Sequence, residues 1–276
     1  MKWRGWRTGA VAGVAVLAAI CASGPEQPQL VRAASDLGPL PADRYTLTAQ
    51  DYRRSQQASA LLVRQCMAGR GHRDFPLDPR FPRDPIVATA VATDYGVLDP
   101  DTAGRWDPTR HPSPLPKDRR MTSAEYADWP ACNADTSQDL MRGIDITRDW
   151  LYAGRRAIEV DKAVKGDPRL RAAWDVWSRC VAAQGFTRYP DPVAAYTDPA
   201  WQRGSDGNTR HTEAERATAV ADVTCKQRHH TAEIWHTVRA QKQAADIARH
   251  RDRYTAGLTA LRTYRARLDE VVRTLG

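Results

Sequence analysis

Residues 229–236 read HHTAEIWH. On a helix His229, Glu233 and His236 are spaced four and three apart and share one face. Two imidazoles and a carboxylate can hold zinc and leave a position open for water, the arrangement of a metal-dependent hydrolase. The competing reading is a solvated face near the top of a long helix. The single Glu-x-x-His favours it, because helical di-iron sites need two copies and further carboxylates. Glu213 and Glu215 are explained as acids at a helix start, favoured by the helix dipole. There is no Gly-x-Ser-x-Gly, no phosphate loop, no dinucleotide fingerprint and no nucleic-acid module. No catalytic residue, cofactor or nucleic-acid partner is therefore expected.

The cysteines carry a second chemistry. Five are present, at 21, 66, 132, 180 and 225. Without Cys21 four remain, and an even number in an exported chain points to two disulfides. A four-Cys zinc site places its ligands in close pairs, whereas each of these four is more than forty residues from the next. CMAGRGH at 66–72 returns as CVAAQGF at 180–186. Each copy is followed by an aromatic–proline pair, Phe75-Pro76 and Tyr189-Pro190, nine and ten places after its Cys. The repeated unit is a helix ending in Cys, a Gly stop, an aromatic–Pro loop, and a long helix with a second Cys near its start. That order predicts Cys66 bonded to Cys132 and Cys180 to Cys225. The main rival joins Cys66 to Cys180 and Cys132 to Cys225. Each bond of the predicted pairing would stabilise the fold by about 4 kcal/mol through loop closure.

The elements that position these residues follow from the pattern of apolar and breaking residues. Lys2, Arg4 and Arg7 precede an apolar run from Gly9 to Ala22. It is shorter than the ~20 residues of a membrane span and has the form of a secretory signal, residues 1–22. LAAIC at 17–21 resembles the lipobox of bacterial lipoproteins, in which the Cys is acylated, here Cys21. Ile20 stands where that family has Gly, Ala or Ser, so cleavage after Ala22 by an ordinary signal peptidase is the alternative. Residues 23–47, with Pro25, Pro28, Pro39 and Pro41, read as a flexible tether.

A helical domain follows over 48–276, in units of about 48–166 and 167–276. Thr48 and Asp51 open the first helix, and Gly69 or Gly71 closes it. Proline recurs through 73–120, where only 86–98 suits a short strand or helix. A second helix runs from Ser123 or Ala134 to Lys165. KGDP at 165–168 closes it and opens a third, with Leu170, Trp174, Trp177 and Val181 on one face. From the capping pair Thr212 and Glu215 no proline occurs to Gly276. This stretch reads as one long helix, bent near Gly257, with a seam from Ala240, Ala244 and Ile247 to Leu261, Leu268 and Leu275, and with Arg251 and Arg265 in it. The fold class is thus mostly α: two disulfide-stapled helical hairpin units with Pro-rich loops and a long C-terminal helix.

The formal charge is +8, carried mainly by Arg. It fits either an arginine-rich coding bias or an anionic partner such as an envelope polymer or phospholipid. The combination of CVAAQGF with ADVTC at 221–225 resembles a group of exported proteins and lipoproteins of high-GC Gram-positive bacteria. These carry Cys-x4-Gly-aromatic motifs and an Ala-Asp-x-x-Cys stretch on a long terminal helix. His72 departs from the aromatic in the first copy, and Pro130 interrupts the first counterpart of the Ala-Asp stretch. The resemblance implies location and architecture, not chemistry: an extracytoplasmic protein with a binding or structural role, partnered by an envelope polymer or envelope protein, and touching membrane only through a lipid on Cys21. Intact-mass and amino-terminal analysis of exported protein should find no Met1. A diacylglyceryl group on Cys21 would identify the lipoprotein route, and retained Met1 would refute both routes.

Overall fold

The first helix starts where its cap dictates. In the computed structural model, which describes residues 30–76, 95–105, 121–201 and 212–276, the Thr48 hydroxyl accepts the Asp51 N–H at 3.1 Å. The Asp51 carboxylate returns a bond to the Thr48 N–H at 2.7 Å. This reciprocal box opens α1 (Ala49–Gly69). Gly71, at φ 96°, takes the left-handed conformation that turns the chain away. A short helix that sequence pattern passed over, α2 (Pro100–Arg105), begins at a proline and leans on Asp99, whose carboxylate accepts the Thr102 N–H at 2.9 Å. Residues 86–94 of the expected short element lie outside the described residues.

Thr122 caps α3 (Ser123–Met141), which continues through Pro130. The expected run to Lys165 is broken instead: Gly143 is left-handed at φ 72°, a single π turn spans Ile146–Trp150, and α4 covers Tyr152–Lys165. A seven-residue stretch, Arg142 to Arg148, with little apolar content beyond Ile144 and Ile146, is what periodicity read through. Asp167 caps α5 (Pro168–Ala183), with Pro168 at its first position, as expected. Leu170, Trp174, Trp177 and Val181 are all buried. Asp191 and Pro192 start α6 (Pro192–Tyr196).

The expected single terminal helix is three: α7 (Glu213–Arg228), α8 (Thr231–Arg249) and α9 (Arg251–Leu275). His230, left-handed at φ 52°, makes the first break. Neither break falls at a glycine or proline, so neither is written in breaker residues. The reason is tertiary: α7 packs on α2 and α5, whereas α8 packs on α4 and α5. Gly257 bends nothing. It lies within α9, where a Cβ would come within 3.1 Å of the Asp149 carbonyl, so it lets the π turn approach the helix. α9, 25 residues long, is the long C-terminal helix of the fold.

Among the described residues the regular structure is helical throughout, and the chain from Val31 to Gly276 is one compact unit. The two halves interleave. α9 lies along α1: Arg265 bonds both Asp51 carboxylate oxygens, at 2.8 and 2.6 Å, and Tyr264 meets Ser55 at 2.6 Å. Arg267 donates to the carbonyls of Leu140 and Arg142, closing the end of α3. Ala58, Leu140, Tyr264 and Leu268 form the apolar cluster beneath. A larger cluster gathers Tyr95, Leu98, Val160, Val164, Leu170, Trp174, Trp235 and Val238, with Trp235 edge-on to both Tyr95 and Trp174.

The described part of the expected tether is laid on this body. Val31 is buried, 3-10 turns span Ala34–Leu37 and Asp43–Tyr45, and the Ala42 N–H reaches the Gln243 side chain at 3.0 Å. The docked chain therefore begins by Val31, not at 48.

Arg265 holds the Asp51 carboxyl down to about 2, against burial, with the Thr48 bonds helping. A depressed carboxyl stabilises above its unfolded value of about 3.9 and loses that contribution as pH falls through its folded value. Asp51→Asn should lower stability at pH 7 by on the order of 1 kcal/mol, given partial solvent screening. In urea titrations the gap from the wild type should close between about pH 4 and pH 2.

Candidate functional site

The four cysteines pair as the duplicated order requires, Cys66 with Cys132 and Cys180 with Cys225. Their Cα atoms lie 5.6 and 5.8 Å apart, within the usual span of a disulfide. The duplication extends to backbone and packing. Arg70 and Gln184, four places after each first Cys, sit at φ/ψ of −92/9° and −88/6°. Gly71 and Gly185 follow at φ 96° and 88°. Met67 and Val181, one place after each Cys, are fully buried. Phe75 packs on the cluster of Val63, Met67 and Cys132, and Tyr189 is a member of the cluster of Trp177, Cys180, Val181 and Cys225. The aromatic residue of each pair thus seats its loop on the disulfide. Tyr189 is further fixed by donating to Asp198 at 2.6 Å, and burial followed by that carboxylate pushes its hydroxyl up to about 12.

The copies differ where their acids point. Asp222, of the ADVTC stretch, accepts the Trp177 indole N–H at 3.0 Å and the Lys226 ammonium at 2.7 Å. Lys226 is 2 % exposed and also donates to the Tyr95 carbonyl at 2.7 Å. Burial pushes the Asp222 carboxyl up, opposed by Lys226 and then Trp177. In the first copy Asp128 meets His72, the residue standing where the second copy has Phe186, at 2.8 Å, with Arg70 beside it. The Asp128 carboxyl is held below its usual range by His72 first and Arg70 next. Lys226 lies one helical turn from Asp222 on α7, a spacing visible in the sequence, whereas Trp177, His72 and Arg70 come from other segments, and spacing alone gave no sign of them.

His229, Glu233 and His236 are not brought together. His229 closes α7, and the left-handed His230 separates it from Glu233 and His236 on α8, so the three do not share a helical face. Glu233 pairs with His230 at 3.0 Å, and His236 meets the Gly38 carbonyl at 3.2 Å. Among the described residues no three His, Cys, Asp or Glu side chains gather in a way that could hold a metal ion. The hydrolase reading rested on an unbroken helix and loses that basis. Cys21 lies outside the described residues.

Two surface grooves lie among the described residues. One, of about 430 Å³, lies between the π turn and α9 and is lined by Asp145, Asp149 and Asp252 with Thr255, Thr259 and Thr263. Its deepest acid, Asp149, is held by Arg148 at 2.9 Å. The other, of about 590 Å³, lies between Pro39–Tyr45 and the end of α8. It occupies the middle of the apolar seam expected along the terminal helix. The seam is covered near Val238 and from Tyr254 to Leu268 but open at Ala244, Ile247 and Ala248.

The two disulfides suit an oxidising, extracytoplasmic environment, and among the described residues no helix is long and apolar enough to cross a membrane. No family model, no curated protein and no solved structure matches the chain.

The Asp222 network should prove to be structural. Asp222→Ala leaves Lys226 buried without its carboxylate and should cost about 3–5 kcal/mol in urea unfolding. Adding Lys226→Met should recover at least half of that loss.

Proposed function

We propose that the protein is an exported component of the cell envelope that acts by binding an envelope polymer or envelope protein, or as a structural part, with no catalysis of its own. The observation that carries this reading is the pair of long-range disulfides, each closing a hairpin over 66 and 45 residues. Bonds of this kind persist where thiols are kept oxidised. The positive start and short apolar run before Ala22 supply the route. Cys21 is the point of lipid attachment if the lipobox-like run is used. The excess of arginine favours a partner with negative charge.

Cell fractionation combined with thiol labelling tests it. The expected result is recovery in the envelope or secreted fraction, with Cys66, Cys132, Cys180 and Cys225 unlabelled until reductant is added. Recovery in the cytosol with those four thiols free would overturn the reading.

A further inference from the structure

The groove at Pro39–Tyr45 combines two features that ordinarily do not share a surface. Its walls are apolar: Pro39, Leu40, Pro41 and Tyr45 on one side, Ala244, Ile247 and Ala248 on the other. Two guanidinium groups, Arg44 and Arg251, line it as well. Both arginines are exposed, and neither has a carboxylate partner among the described residues. Most arginines around them are engaged: Arg156 with Asp246, Arg265 with Asp51, and Arg253 with the Arg148 carbonyl. Arg44 instead stands over the Tyr45 ring, 5.3 Å from its centroid.

The groove's own acid, Asp43, makes no ion pair with either arginine among the described residues. The Asp43 carboxylate accepts the Leu40 N–H at 2.8 Å and so closes the turn that forms the wall. Asp246, in the helix opposite, is taken by Arg156 and by Tyr254 at 2.8 Å. The two cations are left to face solvent beside a half-buried apolar wall of Leu40, Pro41, Tyr45 and Ile247. At about 590 Å³ the groove has the size of small-molecule sites, roughly 300–1,000 Å³.

We propose that this groove binds an anionic phospholipid of the membrane surface, with one acyl chain along Pro41, Tyr45 and Ile247 and the phosphate between Arg44 and Arg251. Two guanidinium forks fit a phosphate, and a prolyl, aromatic and aliphatic wall fits a hydrocarbon chain. This site deepens the envelope reading and rests on it. It gives that reading a ligand: the chain holds the membrane face through its own fold, independently of any lipid on Cys21.

Titration calorimetry of the exported mature chain with monomeric dodecyl phosphate reads the site directly. Flotation with phosphatidylcholine vesicles, with and without phosphatidylglycerol, reads its source. Saturable binding of one dodecyl phosphate is expected, with none of inorganic phosphate, together with flotation that depends on phosphatidylglycerol. Arg44→Gln with Arg251→Gln should weaken dodecyl phosphate at least about tenfold, and Ile247→Asn should weaken it as well. Arg53→Gln with Arg262→Gln removes the same charge from exposed positions that line neither groove. It should leave affinity within about twofold, because screened surface charges contribute little. Equal losses in the two double variants would make the attraction diffuse and overturn the site, as would absence of binding in the wild type. Such a failure, in protein recovered from the envelope with its four thiols blocked, removes the groove and spares the envelope reading. Cytosolic protein with free thiols removes the reading itself.

Discussion

The bond between Cys180 and Cys225 joins α5 to α7 at the centre of an apolar cluster, with Trp177, Val181, Tyr189 and Trp201 around it. The bond between Cys66 and Cys132 does the same for α1 and α3, among Val63, Met67, Phe75 and Trp129. Both are core contacts that happen to be covalent. A mean hydropathy of −0.61 leaves limited apolar material for 276 residues. Among the described residues it is divided among four separate clusters rather than pooled in one. Two of the four are organised around a disulfide. Chain entropy that hydrophobic burial would otherwise have to offset is removed from the unfolded state instead.

Duplication set the plan, and the copies then diverged in how each is closed. The second copy is sealed by apolar and buried polar groups: Phe186 beside the cluster, Trp177 and Lys226 on Asp222. The first is sealed by a half-exposed acid, Asp128, with His72 and Arg70. One acid at nearly the same place relative to its cysteine thus serves two chemistries. Lys226 also ties its module to distant chain, through the Tyr95 carbonyl, and Gln227 adds bonds to the Val31 and Leu98 carbonyls. No comparable tie from the first module reaches the segment around Tyr95 among the bonds described. The second module is the hub on which the amino-terminal segment and α2 converge.

Local features were legible in the sequence because local chemistry decides them. Thr48, Asp167 and Thr212 all accept the expected capping bonds. The disulfide pairing was legible for a different reason: repeat spacing carries three-dimensional information when a module is copied. The breaks at His230 and His250 were not, because helix periodicity continues across them and only packing against other helices decides the turn; at Gly143 a local breaker was present but the periodicity was read through it. The same failure dissolved the His229, Glu233 and His236 face, since a spacing argument holds only while the helix does. The groove was half visible. Its seam residues were marked as apolar, but the docking of 30–47 that forms its other wall left no periodic trace.

The contacts that seat α1 against α9 join residues more than two hundred positions apart, Ser55 to Tyr264 and Asp51 to Arg265. A chain that emerges amino-terminus first presents α1 long before α9 exists. For that interval the amphipathic face of α1, with Ala58 and Leu61, has only α3 to lie on. Cys66 and Cys132 become available together with fewer than half of the residues delivered. An oxidant acting at that moment would lock α1 onto α3 as a holding intermediate. The last helix would then find a preassembled docking surface instead of a loose segment competing for other partners. Both cysteines of the first module's disulfide precede α9 in the chain, so that bond needs nothing from the last helix in order to form.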